Sequence, residues 1–175
     1  MKQLLIITTL FISLNGFSQS NVSDILNKFK LGSKYEKTTD LKERFAENDI
    51  ISCQYIGSDR FTIEGVAIAN INLMFYKNQL MVIEINIGNP FIKDDFDENE
   101  FTKVTDAINK DTGVKSTVKS SSSPEILKEL NWKKENVNYN LKRLKYKHEG
   151  SDKILGLLLI TDIKISDSFM ATMKK

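Results

Sequence analysis

The sequence predicts an α+β fold: an antiparallel sheet with helices packed on one face, built as two tandem helix–hairpin modules. Three observations carry that prediction. Residues 66–87 alternate apolar and polar side chains over two successive runs, the pattern of a β-hairpin. Two capping boxes, Asp40-Leu41-Lys42-Glu43 and Asp97-Glu98-Asn99-Glu100, each announce a helix upstream of strand runs. A second pair of strand-like runs, 137–147 and 154–160, closes the second half as 66–87 closes the first.

In the hairpin, Ile71, Leu73 and Phe75 share one face, and Ile83, Ile85 and Ile87 share it from the second strand. Facing residues must lie on the same side of a sheet, so parity asks for an odd loop. A three-residue loop, Lys77-Asn78-Gln79, sets Leu73 opposite Ile83, Ile71 opposite Ile85 and Phe75 opposite Met81. Each of these side chains gains roughly 1.5–3 kcal/mol on full burial. On this reading Met74, Tyr76, Leu80 and Val82 turn to the other face and cluster near the hairpin tip, followed lower down by Asn70, Asn72, Glu84 and Asn86. An apolar patch on an otherwise polar sheet face is the sequence's best candidate for a contact site with a partner protein.

The remaining elements follow from spacing and punctuation. Lys2 and the apolar run Leu4–Leu14 form a secretory signal peptide over residues 1–18, cleaved after Ser18. That run is too short to span a bilayer, and no cysteine follows it, so neither a membrane span nor a lipid anchor is expected. Residues 19–175 then make a single α+β domain, with pseudo-repeats at 22–88 and 97–165. Val22, Ile25, Leu26 and Phe29 lie at helical spacing, with Gly32 as a stop. A second helix is expected from Asp40, with Leu41 and Phe45 inward. Strands are expected at 50–56, 61–65, 68–76 and 80–87, with Gly65 at a bend and Asn89-Pro90 ending the segment. A third helix runs from Asp97 to Gly113 with Phe101, Val104 and Ile108 inward. Residues 114–119 read as a strand and Ser123-Pro124 as the cap of a short helix through Leu130. A strand from Val137 to about Lys147 should carry a bulge between Leu141 and Leu144, and Glu149-Gly150 turns the chain back into a central strand.

The helix, Leu31-Gly32-Ser33, a second helix and an extended hairpin together resemble the small exported modules of the SmpA/OmlA type. Such modules also occur doubled in a secreted β-lactamase inhibitor. The likeness covers residues 22–87 well and 97–165 loosely, and it implies a role in protein binding or assembly. The chain departs from those relatives in lacking a lipid-anchor cysteine and a disulfide pair.

Several function classes lack their residues. Cys53 is the only cysteine and reads as a buried strand residue on the parity of Ile51 and Tyr55. His148 is the only histidine and sits by a polar turn among Lys145, Lys147 and Glu149, without an orienting partner for base catalysis. No Gly-rich phosphate loop or nucleophile elbow is present, so no catalytic, cofactor-binding or metal residue is assigned. Asp95, Asp97, Asn99 and Asp106 have partial calcium-loop spacing, but Glu100 stands where the loop needs glycine. Carboxylates at a helix N-terminus account for them better. Residues 19–100 carry 9 Lys and Arg against 14 Asp and Glu, and residues 101–175 carry 15 against 9. Only three cations are arginines, which disfavours a nucleic-acid partner. The basic run Lys142–Lys147 reads as a solvated strand face, or as a surface for an anionic partner. The sequence thus predicts a periplasmic or secreted, non-enzymatic binding module for a protein in the envelope or medium. The alternatives are a small-molecule or polysaccharide binder, and a hydrolase with an acidic site.

Overall fold

Turn chemistry sets the layout, because tight left-handed turns convert successive runs into one continuous ladder. The computed structural model describes residues 21–88, 95–121, 123–148 and 150–174. The signal segment, the end of the run at Asn89-Pro90 and the Glu149 position of the last turn lie outside the described residues. The chain runs α1 (Val22–Lys28), β1 (Leu41–Glu47), β2 (Ile50–Tyr55), β3 (Thr62–Ile63), β4 (Val66–Tyr76), β5 (Gln79–Ile87), α2 (Glu98–Thr112), β6 (Thr117–Val118), β7 (Ile126–Lys134), β8 (Val137–His148), β9 (Ser151–Asp162) and α3 (Ile163–Met173). The strands form one sheet in the order β1-β2-β4-β5-β9-β8-β7-β6, with β3 paired to β4, and every pairing is antiparallel. The fold is α+β, and the two halves meet where β5 pairs with β9 (Ile83 opposite Ile160, Ile85 opposite Leu158).

One face of this sheet, the inner face, carries the core. Ile71, Leu73 and Phe75 of β4, Ile83, Ile85 and Ile87 of β5, and Leu158 and Ile160 of β9 are all buried there. Val22 and Ile25 of α1 and Phe101, Val104 and Ile108 of α2 pack into the same cluster. The α2 ends are as the sequence predicts: the Asp97 side chain accepts from the Glu100 N–H at 2.7 Å, and Gly113 closes the helix in the left-handed region. Asp97→Ala should therefore cost about 1 kcal/mol, read as a lower urea midpoint with unchanged slope.

Three expected elements are corrected. Residues 41–47 form strand β1, not a helix, although Lys, Glu, Arg and Ala favour helix. Asn48 and Asp49, both at positive φ, make a two-residue turn that lays this run along β2, and Asp40 gives its carbonyl to the Ile56 N–H rather than opening a helix. Residues 126–134 form β7, not the short helix capped by Ser123-Pro124, because β8 supplies a full ladder of partners. The predicted bulge between Leu141 and Leu144 is absent, since β8 pairs with β9 without a break from Val137 to His148. The irregularity lies instead in β7, between Ile126 and Lys128.

The first hairpin is corrected in detail. Its turn has two residues, Lys77 and Asn78, both at positive φ, so Tyr76 faces Gln79 and Phe75 faces Leu80. Met81 then bulges out of the ladder, which restores the predicted pairs Leu73–Ile83 and Ile71–Ile85. A two-residue turn plus one bulge residue has the same parity as the three-residue loop.

Candidate functional site

The outer face follows from the registers, since residues paired across an antiparallel ladder share a side. Reading across the sheet, Phe45, Ser52, Met74 and Val82 form one row on that face. Gln54, Asn72, Glu84, Leu159, Asn140 and Asn131 form the next. Leu157 and Leu155 extend β9's contribution, with Lys142 and Leu144 beside them on β8. Leu155, Leu157 and Leu159 are each half-buried, whereas Leu158 and Ile160, which point the other way, are buried.

The four residues expected to form the contact patch part company. Met74 is 36 % exposed on the outer face, and Val82 lies half-buried beside it. Tyr76 is also on that face but only 4 % exposed, because α3 folds back over the hairpin tip. The Phe169 ring meets Tyr76 edge-on at 5.2 Å, and the Tyr76 hydroxyl donates to Thr172 Oγ1 at 3.3 Å. Leu80 is corrected: the Met81 bulge turns it inward, where it is 1 % exposed in the core. Helix α3 itself was missed. Its signal is Asp162, which ends the apolar run and accepts from the Ile165 N–H at 3.1 Å as an N-cap. No glutamate at the third helical position completes a capping box there.

Two polar networks flank the leucines of β9. On one side, the Asn72 and Asn86 amides donate to Glu84 Oε1 at 2.8 and 3.2 Å and to Asn70 Oδ1 at 3.2 and 2.8 Å. On the other, Glu129 is 4 % exposed, accepting at Oε1 from the Asn140 amide at 2.8 Å with Lys119 at 3.3 Å and Lys142 at 3.9 Å. Burial pushes the Glu129 carboxyl up, but the Asn140 amide and the two ammonium groups outweigh it and hold the carboxyl below the usual glutamate range. A carboxyl lowered on folding adds stability that is complete above its unfolded value, about 4.3, and fades as pH falls through the folded value. Glu129→Gln should thus lower stability at neutral pH, with the gap to the parent closing below about pH 4 in urea titrations.

Next to Met74, a shallow cavity of about 240 Å³ is lined by Arg44, Ser52, Asn72, Met74, Val82 and Glu84. The Arg44 guanidinium donates to Gln54 Oε1 at its edge.

Cys53 is buried between sheet and loop; burial pushes its thiol up, away from the reactive thiolate. Burial together with Cys53 and Glu43 pushes the neighbouring Tyr35 phenol up to about 12. Asp97 caps α2, whereas Asp95 Oδ1 accepts from the Ile154 N–H of β9 at 2.9 Å, so within the acidic run the helix-cap account holds for Asp97. Among the described residues, no group of three or more His, Cys, Asp or Glu side chains is placed to share a metal ion. His148 ends β8, and its side chain lies outside the described residues. The basic run lies on β8 between β7 and β9 as far as Leu144, while Tyr146 and Lys147 pair with β9 alone. Within it, Arg143 donates from Nε to the Phe96 carbonyl at 3.0 Å and from Nη1 to Glu98 at 2.6 Å, clamping the entry to α2.

Among the described residues, no helix is long and apolar enough to cross a membrane. Compared with protein-family models, curated proteins and solved structures, the chain matches none.

Proposed function

We propose that the protein is an exported, non-enzymatic binding module that contacts a partner protein of the envelope or medium through its outer sheet face. The observation that supports this is the half-buried ridge Leu155-Leu157-Leu159, which continues past Glu84 to Val82 and exposed Met74; among the described residues, α3 at the tip is the one helix seen to pack against that face. An apolar strip rimmed by polar groups has the anatomy of a protein contact surface. Export rests on the signal segment read from Lys2 and Leu4–Leu14, and the likeness to exported modules now rests on α1, Leu31-Gly32-Ser33 and the hairpin. The contact surface proposed is Met74, Val82 and the β9 leucines, in place of Tyr76 and Leu80.

The test is affinity capture from envelope and medium fractions with the mature chain and a Met74→Glu/Leu157→Glu variant whose melting curve shows it folded. A partner held by the parent and lost by the folded variant is the expected result. A partner held equally by both would place the contact elsewhere.

A further inference from the structure

A second site lies on the opposite side of the sheet and does not depend on the outer-face proposal. Helix α1 ends at Lys28, where Phe29 meets Tyr55 at the end of β2, and among the described residues no helix packs extensively on β1 or β2. An irregular arch, residues 31–40, lies over the inner face there instead. It is pinned at one end by Gly32 N–H to the Leu80 carbonyl, Leu80 N–H to the Ser33 carbonyl and Tyr35 N–H to the Asn78 carbonyl, at 2.8, 2.8 and 3.0 Å. At the other end the Asp40 carbonyl accepts from the Ile56 N–H at 2.8 Å. Between arch and sheet is a cavity of about 480 Å³. That lies within the range of roughly 300–1,000 Å³ that houses small molecules, and the two pinned ends mean it is formed in advance.

The lining gives the chemistry. Phe29, Leu73, Phe75 and Leu80 form an apolar floor, with Leu41 and Tyr55 at the sides. Four charged residues line the cavity: Lys28, Lys34, Glu36 and Asp40. Lys28 is committed, ion-paired to Asp59 and lying 4.8 Å over the Tyr55 ring. Among the described residues, Lys34, Glu36 and Asp40 have no ion pair. Among the residues that line the cavity, the unpaired charge is therefore two carboxylates against one ammonium. An aromatic-lined floor with a net negative charge around it complements an apolar body that carries a positive charge.

We infer that the arch cavity binds an apolar, preferably aromatic, ligand bearing a primary ammonium group. A free amine and the amino terminus of a peptide beginning with an apolar residue both present that chemistry.

Amide-resolved NMR titration of the mature chain tests it with three probes: 2-phenylethylamine, phenylacetate as the same body with opposite charge, and the dipeptide amide Phe-Gly-NH2. Saturable shifts at residues 33–41 and 73–80 are expected with 2-phenylethylamine and not with phenylacetate. Glu36→Gln/Asp40→Asn should weaken the amine about fivefold to tenfold, as two exposed ion pairs would. If Phe-Gly-NH2 binds more tightly than 2-phenylethylamine, the source is a peptide terminus; if it binds more weakly, the source is a free amine, and either result upholds the assignment. Phenylacetate binding as well as the amine would overturn it. So would the absence of saturable shifts with either amine, or an affinity unmoved by the double substitution.

Discussion

Phe96→Ala is expected to destabilise the protein by about 3–5 kcal/mol, the cost of emptying a buried aromatic site. Phe96 is buried ahead of α2, with its N–H on the Ile154 carbonyl at 3.1 Å and its own carbonyl on Arg143. Its ring lies over Gly156, the one glycine within β9, and against Phe101 at 6.1 Å. A Cβ at Gly156 would stand 2.8 Å from Phe96 Cε1 and 3.0 Å from Ile87 Cβ. The glycine therefore leaves room for the ring, and the ring covers the glycine. Gly156→Ala alone should cost about 1–3 kcal/mol by overpacking. In the Phe96→Ala background it should cost less, because the ring it strikes is gone and the Ile87 contact alone remains. Urea unfolding of the two single variants and the double completes the cycle. Additive costs would mean that ring and glycine do not meet.

Trp132→Ala should lose a comparable amount, about 3–5 kcal/mol. Trp132 projects from β7 to the inner face opposite Tyr139, is buried, and donates from Nε1 to Asn109 Oδ1 on α2 at 2.8 Å. It thus ties the helix of the second half to the strands farthest from β5. Trp132→Phe keeps most of the apolar contact but strands the Asn109 acceptor, so a loss of about 1–3 kcal/mol is expected. Asn109→Ala in that background should then cost little. Because Trp132 is the sole tryptophan, parent unfolding followed by fluorescence should coincide with the circular-dichroism transition, and the variants are read by circular dichroism alone.

Much of the fold is legible where a local pattern and its long-range partner agree. The alternations 71/73/75 and 83/85/87 place their residues on the inner face, and Asp97 and Gly113 bound α2 as their chemistry requires. Residues 41–47 and 126–134 are misread because their composition and spacing suit a helix, while the ladders offered by β2 and β8 decide the outcome. For residues 41–47 a signal was present in Asn48-Asp49, a pair that tolerates the two left-handed positions of a hairpin turn. The contact patch is half legible for a different reason. Sequence parity does not distinguish a three-residue loop from a two-residue turn with a bulge, and that difference alone sends Leu80 into the core. The apolar run 154–160 correctly marks a central strand, yet a run apolar at every position gives no sign that Leu155, Leu157 and Leu159 face the outer side, opposite to the core. The inner cavity is not legible at all, since it arises between the irregular segment 31–40 and side chains of strands far from it in sequence.

The claim on which the functional account stands is that the outer sheet face is open to solvent. Solvent paramagnetic relaxation of methyl groups in the free protein measures it directly. Met74 should relax fastest and Leu155, Leu157 and Leu159 at intermediate rates, while Leu73, Ile83, Ile85 and Leu158 stay protected. Outer leucines and Met74 as protected as those inner methyls would mean that the face is covered in solution, and the binding-module account would fail with it.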